Sequence, residues 1–194
     1  MGLAQQQAKF DASSYLAWEE AEPDKHEYLA GEVYAMVGAR IVHGVATMNL
    51  AAALHARLSG SPCRVLSADA KVRIDAADAF FYPDVVVSCD VRDRATPQYL
   101  SHPCLIVEVL SEGTAAFDRG AKFAAYRKLP DLREYGLIDL EARRVELFRR
   151  NAEGHWVLYE YGPGEQAEFA AVATSIAVDD LLRDTQEFPE VDGV

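Results

Sequence analysis

The chain is 194 residues long, half of them apolar and a tenth aromatic, which suffices for the core of one domain and excludes wholesale disorder. Its formal net charge of −12, from 31 acidic against 19 basic side chains, excludes the broad basic face with which most nucleic-acid binders meet phosphates. Any such contact must be local, helped by metal ions or by a groove from a second subunit.

No apolar run approaches the roughly 20 residues that span a bilayer, and residues 1–10 lack the basic-then-apolar layout of a secretory signal. Three cysteines, Cys63, Cys89 and Cys104, are an odd number without CxxC spacing, so neither a disulfide framework nor a zinc site is expected. These features predict a soluble protein of a reducing cytoplasm.

In chain order, residues 1–10 read as a flexible N-terminus. Residues 11–21 read as a short helix with Ser13 or Ser14 as N-cap and Tyr15, Leu16 and Trp18 as its apolar contacts; Pro23 closes it. Residues 26–37 form two extended pieces about Gly31. A helix follows from about Val42 to Leu58, with Val45, Met48, Leu50, Ala52, Leu54 and Leu58 on its apolar face; Gly60 and Pro62 end it. Residues 64–74 alternate as a strand, with Asp69, Lys71 and Arg73 on one side. The runs 80–88 and 104–110 are nearly unbroken apolar stretches, the mark of strands covered on both faces. A polar connection, 90–103, separates them. A helix from about Thr114 to Leu129 leads to strands at 134–139, 143–150 and 155–161. The single domain is expected to run from 11 to 188, as one mixed sheet flanked by helices, with an acidic tail at 189–194.

Two carboxylates are out of place in this pattern. Glu108 sits mid-run in CLIVEVL, where a buried acid without a partner would cost several kcal/mol or be driven to protonate. Asp84 poses the same problem in FFYPDVVV, immediately after a proline that favours a strand start, edge or bulge. Acids on two adjacent strands can converge on one point, and a divalent cation stabilises both. Hard oxygen ligands, few in number, describe a magnesium site. In the helix that follows, Asp118, Lys122 and Tyr126 recur every four residues and share one face. Read by spacing alone, Asp118 and Lys122 form a surface i,i+4 pair worth a few tenths of a kcal/mol. Read beside Glu108, the ammonium of Lys122 can orient or deprotonate a water, or stabilise charge on a phosphate.

The run YPDVVV, followed by LIVEVLSEGTAAFDRGAKFAAYRKLPDLREYGLID, resembles the Uma-two-type restriction-endonuclease family, a branch of the PD-(D/E)XK nuclease superfamily. The similarity covers roughly residues 14–185. It implies an α/β (α+β) fold of the restriction-endonuclease type, a mixed central β-sheet flanked by α-helices. It also implies Mg²⁺, with Mn²⁺ as a substitute, held by Asp84, Glu108 and the backbone carbonyl of Val109. The superfamily's lysine falls two residues after the second acid, where this chain has Leu110; Lys122 of the next helix is the counterpart the resemblance suggests. Glu27 and Glu32 lie in the stretch that matches the family's Glu-x-x-x-Gly-Glu, and either is a candidate third acid. His43 matches a histidine that opens a helix, a candidate phosphate contact or proton carrier. Asp69 and Lys71 are further candidates on the alternating strand. Gly136 departs from the bulky aromatic common after Glu-Tyr in the family.

The expected activity is metal-dependent hydrolysis of phosphodiester bonds in nucleic acid, DNA in the first place, with local contacts and a homodimer as the assembly. Two rivals are a nuclease fold that only binds or assembles, and a structural ion-pair network of the buried acids with Lys71, Arg73 or Lys122.

Overall fold

The computed structural model describes residues 10–36 and 38–186. The acidic tail and, apart from Phe10, the expected flexible N-terminus lie outside these.

Helix α1 (Ala12–Glu19) is capped by Asp11, whose carboxylate accepts from the Ser14 N–H at 2.7 Å and the Ser13 hydroxyl at 2.8 Å. The cap is therefore this aspartate, two or three residues ahead of the serines expected to serve, because a carboxylate satisfies the first free N–H groups at least as well. Strands β1 (His26–Leu29) and β2 (Glu32–Ala35) form an antiparallel hairpin. Ala30 and Gly31 at its turn have φ of 50° and 92°, the two positive values a tight turn of this hand requires. Helix α2 (Ile41–Arg57) buries Ala46, Thr47, Leu50 and Leu54. Met48, expected on that face, points outward.

The two long extended runs each break in the middle. Residues 64–74 become β3 (Arg64–Ser67) and β4 (Val72–Ile74), interrupted at Ala68 with φ 57°. Residues 80–88 become β5 (Ala79–Phe81) and β6 (Val85–Ser88), parted at Pro83, which has no N–H to continue a ladder. In both cases the halves belong to different sheets. After β7 (Leu105–Val109) comes a helical segment in three parts: α3 (Ala115–Phe117), a π turn (Asp118–Lys122) and α4 (Phe123–Tyr126). Strands β8 (Glu134–Asp139), β9 (Arg144–Arg150) and β10 (Trp156–Tyr161) form a meander, followed by β11 (Gln166–Phe169), β12 (Thr174–Ala177) and α5 (Val178–Leu181).

The central sheet has six strands in the order β10-β9-β8-β7-β6-β3; β7 and β8 run parallel and the other pairs antiparallel. A parallel pair needs a long crossover, and here the crossover is the helical segment 115–126. A four-stranded sheet, β2-β1-β5-β4, and the pair β11-β12 complete the fold. The single sheet expected is thus three, while the mixed α+β class with a central sheet flanked by helices holds. On one face Leu50 and Leu54 of α2 pack with Val85, Leu105, Val107 and Phe169. On the other, Phe123 and Tyr126 of α4 pack with Phe81, Val86, Ile106, Tyr135 and Leu137.

Gly136 is explained by its neighbours. A Cβ there would meet Leu147 Cδ2 at 2.9 Å and Val107 Cγ2 at 3.1 Å, so branched residues on the flanking strands fill the space that a side chain would need.

The cysteine expectation is overturned. Cys63 and Cys89 form a disulfide. The β3–β6 register pairs Arg64 with Ser88, which sets these cysteines opposite one another across the strands, a proximity that linear spacing does not reveal. With a disulfide present, the cysteines cease to argue for a reducing compartment.

Candidate active site

Alternation along β7 turns Glu108 to the face of Ile106, beneath the helical segment 115–126. Strands β6 and β8 flank β7 on both sides, and Glu108 is only 3% exposed. Asp84 stands just before β6. Because Val85 pairs with Val107, Asp84 falls beside Glu108, and its backbone N–H donates to Glu108 Oε2 at 3.2 Å. The carboxylate of Asp84 turns back across the strand end, where Oδ2 accepts the Val109 N–H at 2.7 Å. His43, in the first turn of α2, brings Nε2 to 3.2 Å from the same oxygen.

The four-stranded sheet contributes Glu27. Buried in β1, it accepts the Tyr82 N–H at 3.1 Å and lies 2.9 Å from Lys122 Nζ, both at Oε1. Lys122 also lies 3.1 Å from Glu108 Oε1 and 3.5 Å from Asp118 Oδ1. Lys122 and Asp118 are both buried, so their pairing is an interior one and not the surface pair that helical spacing suggests. The π turn widens the helix where these two side chains enter the protein; such turns recur at functional sites. The Tyr135 hydroxyl donates to the Asp118 carbonyl at 3.0 Å, and the Tyr126 hydroxyl to Glu108 Oε1 at 3.0 Å.

Four carboxylates, Glu27, Asp84, Glu108 and Asp118, therefore share one ammonium and one imidazole. Even with His43 protonated, the ionised cluster carries two negative charges in excess. Burial pushes the Glu108 carboxyl well above the usual range; Lys122 opposes this, while Asp84, Asp118 and Glu27 push it further. Burial likewise raises Asp118. For Lys122, burial favours loss of the proton, but Glu108, Glu27 and Asp118 outweigh it and hold the ammonium more firmly than usual. For His43, burial is outweighed by the hydrogen bond and charge of Asp84, and its pKa rises above 6.5.

Other buried acids of this fold are treated differently. Glu134 has Arg149 Nε at 2.9 Å and the Ala171 N–H at 2.8 Å. Glu146 has Arg119 and Arg144. Glu134 and Glu146 thus each have a guanidinium, which the carboxylates of the cluster lack, while the buried Glu19 and Asp93 are met by hydrogen-bond donors of neighbouring residues.

The remaining sequence candidates lie elsewhere. Glu32 is exposed on the edge strand β2, where its carboxylate accepts the Tyr34 hydroxyl at 2.6 Å. Asp69 is exposed and paired with Lys25. Lys71 stands over the rings of Tyr15 and Tyr82 at 5.2 and 5.4 Å, and Arg73 bonds Asp75 and Tyr99. Of the three cations considered for an ion-pair network, Lys122 alone enters the cluster. Sequence reasoning missed the backbone N–H of Tyr82 and the hydroxyl of Tyr135. Neither has a signal in the sequence, since a backbone donor is anonymous and a tyrosine in an apolar strand looks like core.

The donor set suits a hard divalent cation. Asp84, Glu108 and the Val109 backbone converge at the end of β7. Asp84 Oδ1 has no hydrogen-bond partner among the described residues, and this side chain is 21% exposed, which gives the cluster an open side.

Comparison with known proteins gives one family. Residues 12–179 match the family Uma2, described as "Putative restriction endonuclease". The uncharacterized protein slr1290 of Synechocystis sp. is 37% identical over 175 residues, covering 90% of this chain and 92% of that one. A second uncharacterized Synechocystis protein, sll1609, is 35% identical over 159 residues, covering 81% and 89%. A crystal structure from Anabaena variabilis, described as a putative nuclease belonging to DUF820, superposes with a TM-score of 0.74 at 14% identity, covering 89% of this chain and 97% of that one. That likeness establishes a shared fold. With most of its length matched, the chain belongs to the Uma2 family of putative restriction endonucleases.

Proposed function

We propose that the protein is a Mg²⁺-dependent endonuclease that hydrolyses phosphodiester bonds of nucleic acid, with DNA as the substrate. The observation that carries this reading is the charge imbalance of the cluster: four buried or half-buried carboxylates against one ammonium and one imidazole. A buried excess of negative charge is costly unless a cation offsets it. Asp84, Glu108 and the carbonyl of Val109 would hold Mg²⁺ or Mn²⁺. When bound, the ion supplies a Lewis acid for the phosphate and an acidified water.

The protein's own groups then have separable tasks. Lys122, held firmly protonated by its three carboxylates, orients Glu27, Glu108 and Asp118 and offsets their charge. Its ammonium is a poor proton acceptor, so the role of a lysine base considered from sequence is set aside. Tyr126 fixes one oxygen of Glu108, leaving the end nearer Asp84 for the ion. His43 stands beside Asp84 at the open side, and imidazole titrates nearest neutrality; it is assigned the proton-carrying role. The overall charge of −12 confines nucleic-acid contact to this mouth. One site cuts one strand, so a double-strand cut takes a homodimer. Among the described residues no helix is long and apolar enough to cross a membrane, and the cytoplasm, where DNA is met, is the compartment of this reading.

The rival ion-pair network has one observation in its favour, the threefold pairing of Lys122. Incubation of supercoiled DNA with the protein and Mg²⁺ or Mn²⁺ separates the two. Nicking that EDTA and Asp84→Asn both abolish supports the nuclease. A well-folded wild type that binds the ion and leaves DNA and RNA intact refutes it.

A further inference from the structure

The far ends of the strands that carry Asp84 and Glu108 bear a second convergence of ligating groups. The chain leaves β6 through Cys89 into Asp90, approaches β7 through His102, and passes Asp131 before β8. One ligand atom from each of Asp90, His102 and Asp131 lies within 4.8 Å of the others. Six residues of nearly extended chain separate Asp84 from Asp90, roughly 20 Å at about 3.3 Å per residue. That exceeds by far the ~4 Å between the ions of a two-metal catalytic pair, so these groups do not belong to the acidic cluster.

The triad is held from behind and open in front. Asp93, buried, accepts the Ser101 N–H at 2.8 Å, the His102 N–H at 3.1 Å and the Ser88 hydroxyl at 2.6 Å, which anchors the backbone from which His102 projects. His102 Nδ1 lies 2.7 Å from Asp131 Oδ2. All three side chains line one cleft of about 360 Å³. The positive partner of the carboxylates is Arg92, whose guanidinium reaches Asp90 Oδ2 at 2.6 Å and Asp131 Oδ2 at 3.1 Å. Its side chain is 55% exposed, so it can swing into water. Arg133 lines the same cleft, but the two carboxylates are bridged by Arg92 alone among the ion pairs of the described residues, beside an imidazole nitrogen.

We propose that Asp90, His102 and Asp131 form a second divalent-cation site, with Arg92 as the counter-ion that the metal displaces. Two carboxylate oxygens and one imidazole nitrogen suit Mn²⁺ or Zn²⁺ better than Mg²⁺, which favours oxygen ligands. Bound there, the ion joins the connection between β6 and β7 to the turn that precedes β8, and acts as a clip between three segments of chain.

The test uses Mn²⁺ alone, followed by electron paramagnetic resonance of the free ion. It is carried out on the Asp84→Asn, Glu108→Gln double variant, so that its outcome is independent of the nuclease reading. We expect about one Mn²⁺ per chain to remain bound, with Zn²⁺ competing. Adding His102→Ala weakens binding at least about tenfold, in line with the loss caused by disturbing a metal's ligand shell. Arg92→Gln, by removing the competing cation, tightens it. If the double variant folds poorly, the wild type binding one more Mn²⁺ than the His102→Ala variant gives the same answer. The proposal fails if the double variant, folded, binds no Mn²⁺, if His102→Ala leaves binding unchanged, or if Arg92→Gln weakens it.

Discussion

Replacing Glu108 by glutamine separates a metal site from a structural ion pair, because the two predict opposite signs. Glu108 is 3% exposed, and its carboxyl lies well above the usual range through burial and the company of Asp84, Asp118 and Glu27. Each pKa unit of that rise makes the ionised form about 1.4 kcal/mol less favourable in the folded protein than in the unfolded chain. Glutamine removes this term. Its carbonyl can still accept from Tyr126, and Lys122 keeps Glu27 and Asp118. Against the gain stands about one hydrogen bond, on the order of 1 kcal/mol. Without metal at about pH 8, we therefore expect Glu108→Gln to raise stability and with it the Tm. With Mg²⁺ in excess the order reverses, since the wild type gains about 2.7 kcal/mol at a hundredfold Kd and the variant loses its ligand. Thermal unfolding followed by circular dichroism, with EDTA and with Mg²⁺, reads both arms. If Glu108 is instead the anion of a structural pair with Lys122, replacing it breaks a buried ion pair and costs about 3–5 kcal/mol. A fall of that size in EDTA would refute the reasoning.

The same electrostatics predict how the metal-free protein responds to pH. Groups with raised folded-state pKa, Glu108, Asp118 and His43, bind more protons when folded, so their contribution falls as pH rises. For the acids the decline begins near the ordinary carboxylate value of about 4 and continues up to their raised values, and for His43 it begins near 6.5. Chemical denaturation in EDTA at a series of pH values should show this decline and its flattening with Mg²⁺; a rise across the window contradicts it. Reduction of Cys63–Cys89, which closes a separation of 26 residues, should lower stability by about 3 kcal/mol, checked by unfolding with and without dithiothreitol. Gly136→Ala drives a Cβ into Leu147 and Val107 and should cost about 1–3 kcal/mol, while Mg²⁺ binding measured by calorimetry stays unchanged.

What the sequence disclosed follows from where each signal resides. The strands at 105–109, 134–139 and 144–150 were legible because each run is continuously apolar or sharply alternating, a property of the strand itself. The breaks at Ala68 and Pro83 depend on which sheet each half joins, and pairing partners are not written in the local pattern. Glu108 stood out because an acid in an apolar run is a local contradiction. Glu27 and Glu32 could not be told apart, since their difference lies in topology: β1 is interior to its sheet and β2 is its edge. Lys122 enters the site through the family resemblance, whereas helical spacing alone gives it a surface pair, because an α-helical wheel does not anticipate a π turn. The Cys63–Cys89 pair and the Asp90, His102 and Asp131 cluster arise from strand register and loop meeting, which bring together residues far apart in sequence.

The central claim is that Asp84 and Glu108 hold a divalent cation at the end of β7. A crystal structure of the protein grown with Mn²⁺ tests this most directly, through anomalous scattering that locates the metal. An anomalous peak bound by one oxygen from each carboxylate and by the Val109 carbonyl is expected, with Lys122 still between Glu27 and Asp118. Carboxylates bridged by Lys122 and His43 alone, with no peak beside Asp84 at saturating Mn²⁺, would contradict it.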